Sequence, residues 1–288
     1  MSVFDPVALA LFSAALFGVA LVVTQFGLRH LHAATGALVS IPSTMLLFWL
    51  AAPFALKSEG WNLAALGVFA AVGLFYPALV TLLTFESNRR IGPTATATVA
   101  NTTPLFAVAG AMFFLGEQLT LRIVAGTVLI VTGVMALSRD GSQRARWTPW
   151  IIALPLAAAA IRAGAHVLAK LGLTLWADPF AAGLIGYTVS GAVVWVTVGV
   201  ANRGSALAFA RKGVAWFALV GLCNGSALLL MYFALTHAPV TTVSPLVSTY
   251  PLFTLLLSAI WLREERLSRR VLAGVAVSVA GVILLIVR

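Results

Sequence analysis

Residues 213–262, GVAWFALVGLCNGSALLLMYFALTHAPVTTVSPLVSTYPLFTLLLSAIWL, run for fifty positions without one formal charge. A helical membrane crossing takes roughly 20 apolar residues, so fifty are too many for one span and suit two. His237-Ala238-Pro239 supplies the interruption, because proline starts a helix more readily than it continues one. The rest of the chain is similar in kind. Of 288 residues, 61% are hydrophobic and 9% charged, and the mean hydropathy is +1.04, outside the range of a water-soluble globule. In lipid the backbone must satisfy itself, in helices or in closed barrels. Barrel strands alternate polar and apolar residues in segments of roughly ten, whereas these segments are longer and solidly apolar. The expected fold class is therefore all-α and integral to the membrane.

Charges, helix breakers and aromatic residues divide the sequence into ten hydrophobic segments: 6–28, 34–56, 63–86, 93–115, 121–138, 149–173, 180–201, 213–236, 239–262 and 270–287. Trp61, Trp147, Trp150, Trp176, Trp216 and Trp261 fall near the ends of these segments, where indoles favour the headgroup region. The first segment, uncharged from Pro6 to Leu28 and without a basic stretch before it, is too long for a signal sequence and reads as a retained span. Cys223, the single cysteine, sits among apolar neighbours as a packing residue. No room remains for a soluble motor domain, and no phosphate-binding glycine loop is present.

The connections 1–2, 3–4, 5–6, 7–8 and 9–10 hold Arg29; Arg89 and Arg90; Arg139, Arg144 and Arg146; Arg203, Arg211 and Lys212; and Arg263, Arg266, Arg269 and Arg270. That is thirteen basic residues, against Lys57, Arg122, Lys170 and Arg288 on the other side. The positive-inside rule places the thirteen in the cytoplasm and both termini outside. The formal charge of +10 is then a signature of topology and of contact with membrane lipid, not of nucleic acid.

The sequence also repeats itself. Pro93 recurs as Pro239 at an offset of 146, Pro104-Leu105-Phe106 as Pro251-Leu252-Phe253 at 147, and Glu117 to Thr120 as Glu265 to Ser268 at 148. Gly126 and Gly133 match Gly274 and Gly281, also at 148. Two copies of five spans are expected, residues 1–147 and 148–288. Because five is odd, the second copy must be inverted relative to the first. Such repeats place a substrate near the bilayer midplane, between the copies.

The doubled Pro-Leu-Phe, the acidic turn after it (Glu117-Gln118-Leu119-Thr120 and Glu265-Arg266-Leu267-Ser268) and the spaced glycines beyond resemble the drug/metabolite transporter superfamily with its paired EamA-type repeats. Within it the chain looks most like bacterial exporters of amino acids, in the branch that handles aromatic ones. The resemblance implies a monomeric basket of ten helices in the bacterial inner membrane, exporting small metabolites by alternating access. It also implies that the first four spans of each half line a cavity while the fifth spans pack peripherally.

An ionisable side chain at bilayer depth costs at least about 2.5 kcal/mol, so each asks for a reason. Arg162 lies twelve residues after Trp150, about 18 Å along a helix, with His166 and Lys170 following on the same face. This stripe either draws the carboxylate of a substrate or, at Arg162, donates to carbonyls freed by prolines and locks the bundle. His166 is assigned to the pathway, and Lys170 to the outer interface by snorkelling. No carboxylate falls mid-span, so facilitated diffusion or exchange is expected, with a His166 proton relay as the coupled alternative. Tyr76, Asn101, Asn224, Ser248 and Tyr250 are candidates for sparse hydrogen bonds in an apolar pocket, and Phe17 and Thr24 could add stacking and a hydroxyl.

Pro104 and Pro251 each remove a donor in mid-span and weaken the helix near Ala100 and Val247, which makes them a pair of candidate hinges. Gly274, Ser278 and Gly281, echoed by Gly126 and Gly133, form small-residue faces for close helix contact within or between monomers. The function expected is export of hydrophobic or aromatic amino acids, without cofactor or metal. The competing readings are a proton-coupled multidrug or metabolite exporter and a channel or scaffold. An enzyme is disfavoured, since no His-Glu-x-x-His, nucleophile elbow or buried aspartate pair appears.

Overall fold

The protein is described from a computed structural model covering residues 5–56, 60–137, 149–201, 209–262 and 269–286. The described residues hold helices and no strand. In order these are α1 (Pro6–Leu28), α2 (Ala33–Ala55), α3 (Leu63–Phe75), α4 (Ala78–Ala100), α5 (Thr103–Leu115), α6 (Leu121–Leu137), α7 (Pro149–Leu175), α8 (Pro179–Ala201), α9 (Arg211–His237), α10 (Val240–Val247), α11 (Tyr250–Leu257) with a π-helical turn Ser258–Leu262, and α12 (Arg269–Ile286). Seven stretches are long and apolar enough to cross a membrane, and three shorter apolar helices accompany them. The boundary at 147/148, the turn Glu265 to Ser268, Trp147, and Lys57, Arg139, Arg144, Arg146, Arg203, Arg263, Arg266 and Arg288 lie outside the described residues.

Two boundaries differ from the expectation. The helix expected over 63–86 breaks at Tyr76-Pro77, and α4 then runs on past residue 86. It kinks only at Gly92, whose φ of 80° belongs to the left-handed region that glycine tolerates. The charges at 86–90 read as a connection because Glu86, Arg89 and Arg90 stand close together. They are instead one helical cluster. Glu86 accepts from Arg89 Nε at 2.9 Å and from Arg90 Nε at 2.6 Å, the (i, i+3) and (i, i+4) spacings that a helix brings together.

Packing joins the halves crosswise. α1 lies on α9 as α7 lies on α3 and α4; α2 lies on α9 as α8 lies on α3; and α1 meets α10 and α11 as α7 meets α5. α2 and α8 meet each other, as do α6 and α12. Gly126 approaches Gly281 while Gly133 approaches Gly274, so α6 and α12 run antiparallel with their small-residue faces in contact inside the chain. A Cβ on Gly281 would lie 2.7 Å from the Gly126 carbonyl oxygen, and the Ser278 hydroxyl donates to the Ile130 carbonyl at 3.4 Å.

Two further contacts match at the repeat offset. Ser190 on α8 donates to the Gly73 carbonyl at 2.5 Å, and Thr44 on α2 donates to the Gly221 carbonyl at 2.5 Å. Ser190 also accepts from the Ala78 amide at 3.2 Å and so bridges the Tyr76-Pro77 break. Interhelical hydrogen bonds in membranes average about 0.6 kcal/mol. Thr44→Val is therefore expected to lower stability in detergent by less than about 1 kcal/mol, and Ser190→Ala by more, because it leaves a buried amide without its acceptor. Melting curves of the two variants side by side check the order.

Candidate functional site

The site is built around two broken helices. Pro104 and Pro251 stand in the first turns of α5 and α11, just beyond the turns Asn101-Thr102 and Ser248-Thr249 that interrupt the helical hydrogen bonding. Without proline N–H groups the carbonyls four residues back, of Ala100 and Val247, lose their donors, and threonines bond Ala100 and the carbonyls one residue earlier, Val99 and Leu246. Thr102 gives its amide and hydroxyl to the Val99 carbonyl at 3.2 and 3.0 Å, and Thr249 gives the same two groups to Leu246 at 3.1 and 2.7 Å. Thr103 Oγ1 donates to Ala100 at 2.7 Å. The breaks thus fall beside Ala100 and Val247. Asn101 and Ser248, equivalent under the repeat, are buried at them, and neither atom of the Asn101 amide has a partner.

Against these breaks stands α7. The Arg162 guanidinium lies over the Tyr250 ring, 5.8 Å from its centroid, and its Nη1 donates to the Tyr250 hydroxyl at 3.5 Å. That hydroxyl donates in turn to the Ala97 carbonyl at 3.3 Å, so Arg162 reaches the backbone of the first broken helix only through Tyr250. Arg162 Nε is buried without a partner. Arg162 and Tyr250 line a cavity of about 40 Å³ together with Phe17, Ala20, Leu21, Thr24, Thr84, Phe85 and Asn224. Among the described residues Arg162 is the one cation on its wall. The Thr24 hydroxyl is spent on its own helix, donating to Ala20 at 2.7 Å.

Five of the nine binding candidates therefore share one cavity, and Tyr76, Asn101, His166 and Ser248 are packed outside its lining. His166 is 2% exposed, with Nδ1 3.2 Å from Ser244 Oγ and its ring edge-on to Tyr76 at 6.3 Å. Lys170 does more than snorkel. It donates to the carbonyls of Leu235 at 2.5 Å and Ala238 at 3.0 Å, the unsatisfied acceptors at the negative end of α9. Across the same mouth Glu117 accepts from the amides of Val240 at 2.8 Å and Thr241 at 2.9 Å, capping α10.

The opposite mouth is closed in a related way. Gln25 on α1 donates to the Asn88 carbonyl at 2.9 Å and to its side-chain oxygen, while Asn88, fully buried, donates to Leu21 at 3.0 Å. Gln25 and Lys170 correspond at an offset of 145, and Asn88 and Leu235 at 147. α1 thus clasps α4, and α7 the end of α9, one pair at each end of the bundle. Along α9, Asn224 falls between Phe217, which packs against Gly27 near the Gln25 end, and Leu235, at the other.

Sequence reasoning missed Gln25, Asn88, Thr84, Phe85, Tyr187 and Tyr232. The tyrosines carried a readable signal. All four in the chain are buried, whereas interfacial tyrosines would sit at span ends with the tryptophans. Tyr187 and Tyr232 belong with Tyr76 to one buried cluster, and Tyr76 meets the His166 ring edge-on.

The family model described as the EamA-like transporter family matches residues 6–139 and again 148–287. A solved structure described only as "Crystal structure of protein" aligns with a TM-score of 0.76 and 15% identity, covering 97% of this chain and 95% of that one, a likeness of fold. Among curated proteins no match is found.

Proposed function

Since this chain belongs to the EamA-like transporter family, we propose that it exports small metabolites bearing a carboxylate, hydrophobic and aromatic amino acids foremost, by alternating access through the Arg162 cavity. The observation that carries this reading is a guanidinium, its Nε buried without a partner, set in an apolar and aromatic cavity between two closures. A carboxylate can take Nε and an Nη in the paired geometry that arginine favours, while Phe17, Phe85 and Tyr250 receive the side chain. At about 40 Å³ the cavity admits no amino acid as it stands. Loading requires the walls to part, and the breaks before Pro104 and Pro251 are where α4, α5, α10 and α11 can swing with the fewest helical hydrogen bonds to lose.

Antiparallel pairing of α2 with α8, where Gly183 faces Phe48 and Gly191 faces Met45, and of α6 with α12 supports two inverted five-span copies, ten spans in all, divided at 147/148. Arg29 and Lys212 gather at the Gln25–Asn88 mouth, beside Arg89 and Arg90, which supports placing that mouth in the cytoplasm of a bacterial cell and both termini in the periplasm. A monomer suffices, because the small-residue faces are spent on each other. Among the described residues, Asp5, Glu117 and Asp178 cap α1, α10 and α8, and Glu86 binds Arg89 and Arg90. Of these, only Asp178 keeps a buried oxygen, Oδ2, without a partner, and it stands at the start of α8, outside the lining of the Arg162 cavity; the other described carboxylates are engaged, which supports exchange or facilitated diffusion. The buried, unpartnered Nε2 of His166 favours the second reading, a proton-coupled exporter.

Counterflow in proteoliposomes tests both. With radiolabelled phenylalanine inside, label loss is expected to accelerate with unlabelled amino acids outside, not with amines of the same side chain, and to ignore an imposed pH gradient. Equal loss with every compound indicates a channel, and a pH-driven rate indicates the proton-coupled form. Opening one mouth at a time is expected to bias access oppositely. In a Cys223→Ser, Thr24→Cys background, Gln25→Leu raises labelling from the Arg89 side and Lys170→Leu from the other, each several-fold over the parent.

A further inference from the structure

Beside the Gln25 mouth, where the end of α1 meets the start of α9, lies a cleft of about 540 Å³. Its floor is aromatic: Phe26 and Trp216 stack at 5.2 Å. Around the floor stand Arg29, His30 and Lys212, all exposed, and among the described residues no acidic one lines the cleft. The Arg29 guanidinium lies 5.2 Å from the Phe26 ring centroid, so its face is satisfied by the ring while its N–H edge stays free for an oxyanion. Among the described residues neither Arg29 nor Lys212 forms an ion pair with a carboxylate.

The positive-inside tendency accounts for cations on this side but not for their convergence on one aromatic floor. Repeat symmetry does not account for it either. At an offset of 145 the positions corresponding to Arg29 and His30 are Thr174 and Leu175, and at 147 those corresponding to Lys212 and Trp216 are Ala65 and Phe69. At that equivalent corner Trp176 packs on Trp61 at 5.2 Å and on Phe69 at 6.3 Å. The two corners therefore hold different chemistry: aromatic rings packed on one another at one, and stacked rings surrounded by cations at the other.

We infer that the cleft formed by Phe26, Arg29, His30, Lys212 and Trp216 is a binding site for the phosphate headgroup of an anionic membrane lipid. Arg29 and Lys212 hold the phosphodiester, His30 adds a donor, and the stacked rings face the glycerol and the first acyl carbons. Basic clefts between spans on the cytoplasmic face suit such headgroups, and the indole prefers that depth. The site is independent of the transport reading, since it rests on residues outside the Arg162 cavity.

The test is the melting temperature of the purified full chain in micelles doped with phosphatidylglycerol, with phosphatidylcholine, or with inorganic phosphate alone. Phosphatidylglycerol is expected to raise Tm by about 3 °C over phosphatidylcholine, and inorganic phosphate to leave it unmoved. Arg29→Gln with Lys212→Gln is expected to match the parent in phosphatidylcholine and to lose most of the rise, whereas Arg211→Gln, which removes an adjacent cation outside the cleft, keeps it. Should the double variant fail to fold, Lys212→Gln alone is expected to lose about half of the rise. Equal protection by both lipids, protection by phosphate alone, or a full rise in the cleft variants would overturn the assignment.

Discussion

Arg162→Gln is expected to fold, to insert and to lose transport of carboxylate substrates by about 100-fold. A charge-assisted hydrogen bond contributes about 1.5–3 kcal/mol, and a paired contact in a water-poor cavity stands at the upper end, which is two decades in rate or affinity. Arg162→Lys keeps the charge but loses the planar fork, so an intermediate loss of about 10-fold is expected. Amines lacking the carboxylate should move no worse in Arg162→Gln than in the parent, since the like charge has been removed. Elution profile and Tm in detergent separate a folding defect from a binding defect. Unchanged counterflow of phenylalanine in a folded Arg162→Gln protein would remove the anchor and leave Arg162 as a brace on Tyr250.

The second large effect is structural. Gly221→Ala is expected to cost about 3 kcal/mol or more and to deplete folded protein. A Cβ on Gly221 would run into the Ser40 carbonyl, which as backbone cannot give way, and would push α9 from α2 where Thr44 donates to the Gly221 carbonyl. Its counterpart Gly73, whose Cβ would stand 2.7 Å from the Gly186 carbonyl oxygen, is expected to behave likewise. Gly67→Ala and Gly164→Ala are the controls, because nothing lies within 4 Å of a Cβ at either position. Expression and melting temperature of the four variants check the contrast. Equal behaviour of Gly221→Ala and Gly164→Ala would mean that the α2–α9 approach is looser than described.

The breaks were legible only in part, since the one at Tyr76-Pro77 went unread although Pro77 is as local a signal as any. Pro104 and Pro251 announce interruptions because a missing N–H acts within one turn, and the structure breaks beside both. The kink at Gly92 was nearly legible, one residue before Pro93. The position of α4 across 86–90 was not, because charge in a sequence looks the same whether solvated in a loop or neutralised along a helix. Arg162 and Tyr250 were found as oddities of composition, yet their contact spans 88 positions and depends on how α7 meets α11. Lys170 was seen as a cation near an interface, but its partners are the carbonyls at the end of another helix, and no side-chain pattern marks a carbonyl left over by a helix end. Gln25 and Asn88 went unnoticed for a similar reason: neutral amides near span ends are common, and only the fold brings these two together.

The crosswise pairing of the halves has a consequence for how the protein is made. Ser13 on α1 donates to Ala227 on α9, a residue 214 positions later. At 5–20 residues per second a ribosome takes roughly 10–40 s to deliver that partner. Through that interval the leading helices wait in the bilayer with their inner faces against lipid or an attendant insertase, and the late helices thread in beside them. Biogenesis of this chain is therefore a matter of holding an unfinished first half in place until its complement is synthesised.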